Sequence, residues 1–232
     1  MSSGRSVEKW GTGTAPGDPE WEAAYARFET PRQEVAKFLR RLRRFGVGAW
    51  SRDLQIVELF CGRGSALDAW HQLGFHRLEG VDLSENLLSR YAGAATLYVG
   101  DCRRLQLPDA SRDVICVQGG LHHLAALPED LQATVAEVWR VLRPGGQLLV
   151  VEPWATHYLH LVHWATRRPA LRRLSPPLDA LASMIAREEA TYRNWLSRPA
   201  DILAVLTEKF HTESCRLAWG KLAWRGRKPL PA

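Results

Sequence analysis

The sequence predicts an α/β fold: a doubly wound, mostly parallel sheet with helices on both faces. Three observations predict it. Short apolar runs alternate with helix-patterned segments between residues 55 and 152, as in a parallel sheet joined by crossover helices. Three successive runs carry an acid at or near their end, Glu58, Asp82 and Asp101. The first, Ile56-Val-Glu58-Leu-Phe-Cys-Gly62-Arg-Gly64-Ser65, feeds a glycine turn that opens a helix. Such a turn leaves room for a ligand at the carboxyl edge of the sheet.

The elements follow in order. Residues 1–19, rich in Gly, Ser, Thr and Pro, read as a flexible tail ahead of a domain spanning 20–232. Residues 20–45 read as helix in two pieces. Trp21, Tyr25 and Phe28 recur at helical spacing, Pro31 starts the second piece, and Val35, Phe38, Leu39 and Leu42 form its apolar stripe. Strands are expected at 55–60, 77–82, 96–100, 113–118 and 147–152, and helices at 64–73, 84–91 and 129–142. Arg143-Pro-Gly-Gly146 stops the last helix. Residues 154–209 are helical by pattern and too long for a crossover, so they read as a helical cap inserted after the fifth strand. Two β-like runs, 212–219 and 221–225, hinge at Gly220 and suit an antiparallel pair.

Composition narrows the class. No apolar run approaches the roughly 20 residues of a membrane span, and the N-terminus lacks an apolar signal core. A cytoplasmic location follows as the expectation. The four cysteines are scattered with no CxxC pair, which suits reduced thiols and argues against zinc. The net charge is +6, and from residue 155 onward 13 Lys/Arg face 6 Asp/Glu. With Arg40-Arg41-Leu-Arg43-Arg44, this points to anionic small-molecule acceptors. No run of five like charges is present, so nucleic acid ranks behind a small molecule as partner. Nothing in the pattern specifies an oligomeric state.

The acids and glycines set the ligand chemistry. A dinucleotide site would carry a small residue where this chain has Leu67, and would place no acid near the pyrophosphate. Glu58 repels phosphate but suits an amino group and a sulfonium. Asp82 can accept from both hydroxyls of a ribose. Asp101, with the Cys102 backbone, can accept from an adenine amino group. These are the groups of S-adenosylmethionine (SAM). Phe60, Gly62, Gly64 and Leu83, beside the acids, complete this part of the expected site.

Glu58-Leu-Phe-Cys-Gly-Arg-Gly64, Gly80-Val-Asp82-Leu-Ser84, Gly100-Asp101-Cys102, Leu105-Gln-Leu-Pro-Asp109 and Leu142-Arg-Pro-Gly-Gly146 resemble, in order and spacing, the motifs of the class I SAM-dependent methyltransferases. Within that class the chain resembles the broad small-molecule group known as methyltransferase type 11. The resemblance covers residues 55–152. One departure is Phe60, where the family loop often has Gly. The resemblance implies a Rossmann-like seven-stranded sheet in the order 3-2-1-4-5-7-6 with strand seven antiparallel. It also implies that Gln118 and Gly119, after the fourth strand, border the methionine end of SAM.

At the reacting end the candidates are His122 and His123, leaving the fourth strand, and Glu152, ending the fifth. Methyl transfer needs alignment and exclusion of water, and a hydroxyl or carboxyl nucleophile needs a base. His123 as base with Glu152 orienting it is the expected pair. His157, His160 and His163 recur every three residues, and steps of three drift about 60° around a helix. They suit an aromatic and imidazole substrate wall better than a metal, and no metal is expected. Trp21 and Tyr25 could lie over the cofactor as a lid. The leading expectation is methyl transfer to a small molecule at oxygen. The alternatives are an RNA or protein methyltransferase recruited by the basic cap, and a catalytically silent SAM-binding partner subunit.

Overall fold

The computed structural model describes residues 7–10 and 18–231. Its elements are β1 (Val7–Lys9), α1 (Pro19–Phe28), α2 (Pro31–Arg44), β2 (Ile56–Leu59), α3 (Ser65–Gln72), β3 (Leu78–Asp82), α4 (Glu85–Leu88), β4 (Thr96–Val99), β5 (Arg112–Gln118), α5 (Glu129–Val141) and β6 (Leu142–Pro153). There follow α6 (His157–Thr166), α7 (Pro169–Leu174), α8 (Pro176–Arg187), α9 (Glu189–Ser197), α10 (Pro199–Lys209), β7 (His211–Ala218) and β8 (Lys221–Arg227).

The eight strands form one sheet in the order β1-β4-β3-β2-β5-β6-β8-β7. Counted from Ile56, seven of them run in the expected order, and β8 is antiparallel to both its neighbours. The correction is an eighth strand. Val7–Lys9, inside the stretch read as a tail, pair in parallel with β4, and Trp10 stacks on Tyr98 at 4.6 Å. Residues 1–6 and 11–17 of that expected tail lie outside the described residues.

Period-2 alternation sends neighbouring strand residues to opposite faces, and each face builds its own core. Val57, Ile115, Leu148 and Val150 pack with α5 on one side. Ile56, Val114, Leu149 and Val151 pack with α2 and α3 on the other. Val57 and Ile115 are fully buried, and burial of such a side chain contributes about 1.5–3 kcal/mol. Glu58 shares the Ile56 face, so its carboxylate points into the layer held by α2 and α3.

Helix α2 starts at a capping box formed by Thr30 and Gln33, buries Phe38 and Leu42, and leaves Arg40, Arg43 and Arg44 exposed. Pro169, Pro176 and Pro199 each open a helix, where a missing N–H costs nothing. The expected cap divides in two. Trp195, Ile202 and Leu206 are buried in the main core and α10 packs on α5, so α9 and α10 belong to the sheet's own helix layer. What stands over the carboxyl edge is α8, packed against α1. No helix among the described residues is long and apolar enough to cross a membrane.

Candidate active site

A cavity of about 490 Å³ opens where β2, β3, β5 and β6 end beneath α1 and α8. Glu58, Phe60, Gly62, Asp82, Leu83, Gln118 and Gly119 line it, with Trp21 and Tyr25 of α1 on its wall. The glycine turn is held by Asp82, whose Oδ2 accepts from Gly62 N and whose Oδ1 accepts from Ser84 N, both at 2.8 Å. Gly64 has φ +81°, and a Cβ there would meet the Tyr91 ring at 2.1 Å, so only glycine fits. The Phe60 departure has a structural counterpart. Phe60 takes φ +54°, and its ring occupies the space a Cβ on Gly120 would need, 2.2 Å from Phe60 Cγ.

Glu58 is buried and accepts from Trp70 Nε1 at 3.1 Å and Gln118 Nε2 at 3.3 Å. Burial pushes its pKa up to about 7 against those hydrogen bonds. Burial also raises Asp82, opposed by the Ser84 and Gly62 amides. Both acids therefore gain by meeting a cation.

Gly64, Asp101 and Cys102 do not line the cavity. Gly64 shapes the turn from behind. Asp101 is gripped by Arg103 two residues on, Nη2–Oδ2 2.6 Å and Nε–Oδ1 3.0 Å, and Arg103 in turn holds Asp130 at 2.7 Å. The Arg103 fork keeps the Asp101 carboxyl below its ordinary range. Cys102 is buried, with Sγ 3.5 Å from Thr134 Oγ1. Here a local ion pair takes the carboxylate that was expected to hold adenine.

The reacting end is rearranged from the expected pair. Glu152 contacts His122, not His123. Its Oε1 accepts from Gly120 N (2.7 Å) and Leu121 N (2.8 Å), and its Oε2 lies 2.7 Å from His122 Nδ1. The 3₁₀ turn Leu121–His123 rotates successive side chains by about 120°, and this sends His122 inward and His123 toward the cap. His123 Nδ1 lies 3.1 Å from Glu188 Oε2, and His122 Nε2 lies 3.9 Å from Glu188 Oε1. Burial and the neighbouring His122 push His123 down to about 3. Glu152 is fully buried and does not line the cavity. Burial opposes its ionisation, but His122 and the two amides outweigh it and hold its pKa below the ordinary value.

Glu188 is the residue the sequence concealed. It sits at the α8–α9 junction inside Arg187-Glu188-Glu189, a run that reads as solvated surface. It also accepts from Trp21 Nε1 at 3.2 Å, so one carboxylate ties lid, cap and histidine turn together. Lys37, Arg41 and Lys221 line the same cavity. His122, His123 and Glu188 bring three donor atoms within 4.8 Å of one another, close enough to hold a metal ion. His157, His160 and His163 do not line the cavity. The first two are exposed, and His163 bonds Tyr192 at 3.2 Å, which corrects the expected substrate wall.

The fold is that of the class I SAM-dependent methyltransferases. Residues 57–150, about two fifths of the chain, match the sequence model of the family described as "Methyltransferase domain". Demethylmenaquinone methyltransferase of Symbiobacterium thermophilum is 29% identical over 132 residues, 50% of this chain and 51% of that protein. Malonyl-[acyl-carrier protein] O-methyltransferase of Serratia marcescens is 34% identical over 110 residues, 46% and 41% of the two chains. The chain thus spans about half the length of the curated relatives it matches. A solved Pyrococcus horikoshii OT3 protein superposes with TM-score 0.67 over 91% of this chain and 100% of that one, at 16% identity. The N-methyltransferase NodS of Bradyrhizobium japonicum WM9, solved with S-adenosyl-L-homocysteine (SAH), gives 0.58 over 91% and 100%, at 15% identity.

Proposed function

We propose that the protein is an enzyme that transfers the methyl group of SAM to a small-molecule acceptor at oxygen. One observation carries the reading. The cavity that holds Glu58, Asp82 and the glycine turn also holds His122, backed by a buried carboxylate. SAM fits its donors. Gln118 Oε1 is buried without a hydrogen-bond partner among the described residues, and this acceptor stands beside Glu58, where an ammonium would satisfy both. The relatives' printed substrates, a quinone precursor and a carrier-bound malonyl group, support a small acceptor.

When bound, SAM supplies an electrophilic methyl carbon on a sulfonium. The chain's own residues do the rest. Glu152 fixes His122 with Nδ1 toward the carboxylate, leaving Nε2 to take a proton from an acceptor hydroxyl. His123 turns to Glu188 and not to Glu152, so the base role moves from His123 to His122. Trp21 and Tyr25 exclude water from the cavity.

The test is direct. SAM and SAH should each raise the melting temperature, because a ligand of the native state stabilises it, and NADH should not. Stabilisation by NADH alone would overturn the assignment. His122→Asn is expected to lower kcat by about 10²-fold with SAM affinity within a few-fold. Full turnover in that variant would leave alignment as the whole mechanism.

The cofactor site also has an expected pH dependence. Glu58 titrates near 7, and a cationic ligand favours its charged form. SAM affinity should therefore rise between pH 6 and 8, and calorimetric titration should show that slope flattened in Glu58→Gln. A wild-type slope retained in the variant would remove Glu58 from the cation site.

A further inference from the structure

A second cavity, about 610 Å³, lies between α2 and the β7–β8 hairpin. Its wall carries Lys37, Arg40, Arg41, Arg44, Arg216, Lys221 and Arg225 and no Asp or Glu. Two of these cations are answered within the protein, Lys37 by Glu29 and Arg225 by Glu213 at 3.0 Å and the Phe45 carbonyl at 2.9 Å. The side chains of Arg40, Arg41, Arg44, Arg216 and Lys221 make no ion pair or hydrogen bond among the described residues. Lys37, Arg41 and Lys221 also line the first cavity, so the two spaces meet across them.

We propose that this second cavity binds the phosphate-ester or pyrophosphate group of the methyl acceptor, holding the acceptor atom toward His122 in the adjoining cavity. The proposal rests on the methyltransferase reading and names its substrate class.

Holding several cations together is costly, and more so where they are desolvated; at Arg41 and Lys221 the nearby Glu29, Glu34, Glu152 and Glu188 offset that cost only in part. Burial lowers the pKa of both Arg41 and Lys221, Lys221 down to about 8 with Arg41 adding to the effect. A polyanion between them removes both penalties. A phosphate ester carries about −1.5 to −2 charges at neutral pH and three oxygens, which matches several guanidinium forks better than a single carboxylate does. The cavity also has an apolar lining. Phe45, Val151 and Ala223 line it, and the Tyr158 and Trp219 rings stand 5.4 Å apart, edge to face, at its rim. An organic body attached to the phosphate would pack there. The volume is within the ~300–1,000 Å³ of small-molecule sites. Arg41 and Lys221 sit on the shared wall, where the terminal phosphate of a small molecule reaches more readily than the backbone of a nucleic acid.

The experiment titrates inorganic pyrophosphate, malonate and a single-stranded RNA oligomer into the full chain saturated with SAH. Pyrophosphate is expected to bind once per chain and more tightly than malonate. Arg44→Gln/Arg216→Gln should weaken it by about tenfold or more, the scale of a lost charge-assisted hydrogen bond, with SAH affinity within twofold. Lys221→Gln should weaken it further. Absence of saturable pyrophosphate binding by SAH-loaded protein, or the same affinity in the double variant, overturns the site. RNA binding that is tighter than pyrophosphate and lost with the same arginines overturns it in favour of a nucleic-acid substrate. Failure of SAH itself to bind counts against the methyl-transfer function, while the pyrophosphate titration still decides the anion site.

Discussion

Glu152→Ala is expected to lower the melting temperature by roughly 6–20 °C, the largest single-residue effect on stability in this site. Three donors converge on this carboxylate at 2.7–2.8 Å, and the side chain is fully buried. Alanine leaves the Gly120 and Leu121 amides without an acceptor and His122 without its anchor. Removing one partner from a buried polar pair costs about 3–5 kcal/mol, and a domain of this size loses roughly 2–4 °C per kcal/mol. Glu152→Gln keeps one acceptor oxygen for the amides but presents an N–H to His122. It should retain most of the stability while lowering turnover. The pH dependence has a definite sign. The folded pKa of Glu152 lies below its ordinary value, so its contribution is complete above about pH 4.5 and is lost as pH falls through the folded value. Calorimetry of wild type and Glu152→Ala at pH 7 and pH 3.5 should show their difference shrinking in acid. A difference below ~1 kcal/mol at pH 7 would mean that the carboxylate does not organise the turn.

What the sequence disclosed and what it hid divide along a physical line. Glu58, Asp82 and the glycine turn were legible because strand ends and φ-positive turns are local properties, written in adjacent residues. The histidine partner was not. His122 and His123 are neighbours, and only the 3₁₀ turn between β5 and α5 decides which of them faces Glu152. At Asp101 the structure adds a local partner of a different kind: Arg103, two residues on, pairs with the carboxylate, and composition cannot rank that ion pair against a ligand. Glu188, Arg41 and Lys221 come from the α8–α9 junction, α2 and β8, segments 30 or more residues apart that tertiary packing alone brings to the cavity. Val7–Lys9 is three residues amid glycine and serine, and its strand state comes from the open edge of β4 and the Trp10–Tyr98 stack rather than from its own propensity.

Asp82→Ala is expected to weaken SAM and SAH by about 1.5–3 kcal/mol, or ~10–150-fold, the scale of a lost hydrogen bond to a charged group. The carboxylate has two duties in the structure. It receives Gly62 N and Ser84 N, pinning the glycine turn to the start of α4, and it faces the cavity, where each oxygen keeps a second lone pair for a ribose hydroxyl. The duties separate by variant and ligand. Asp82→Asn keeps one acceptor for a backbone amide but loses the charge, and should fall between wild type and alanine for SAH. A 2′-deoxyribose analogue of SAH should bind wild type more weakly than SAH does, and Asp82→Ala should erase that difference. If alanine weakens both ligands equally and the preference for the hydroxyl survives, Asp82 only shapes the turn. If affinity is unchanged, the turn stands without it and the cofactor site lies elsewhere. Cooperation between the two duties favours the first outcome. A hydroxyl adding to a carboxylate already held by two amides meets an acceptor fixed in place, and pre-organised charge of this kind binds with little ordering cost.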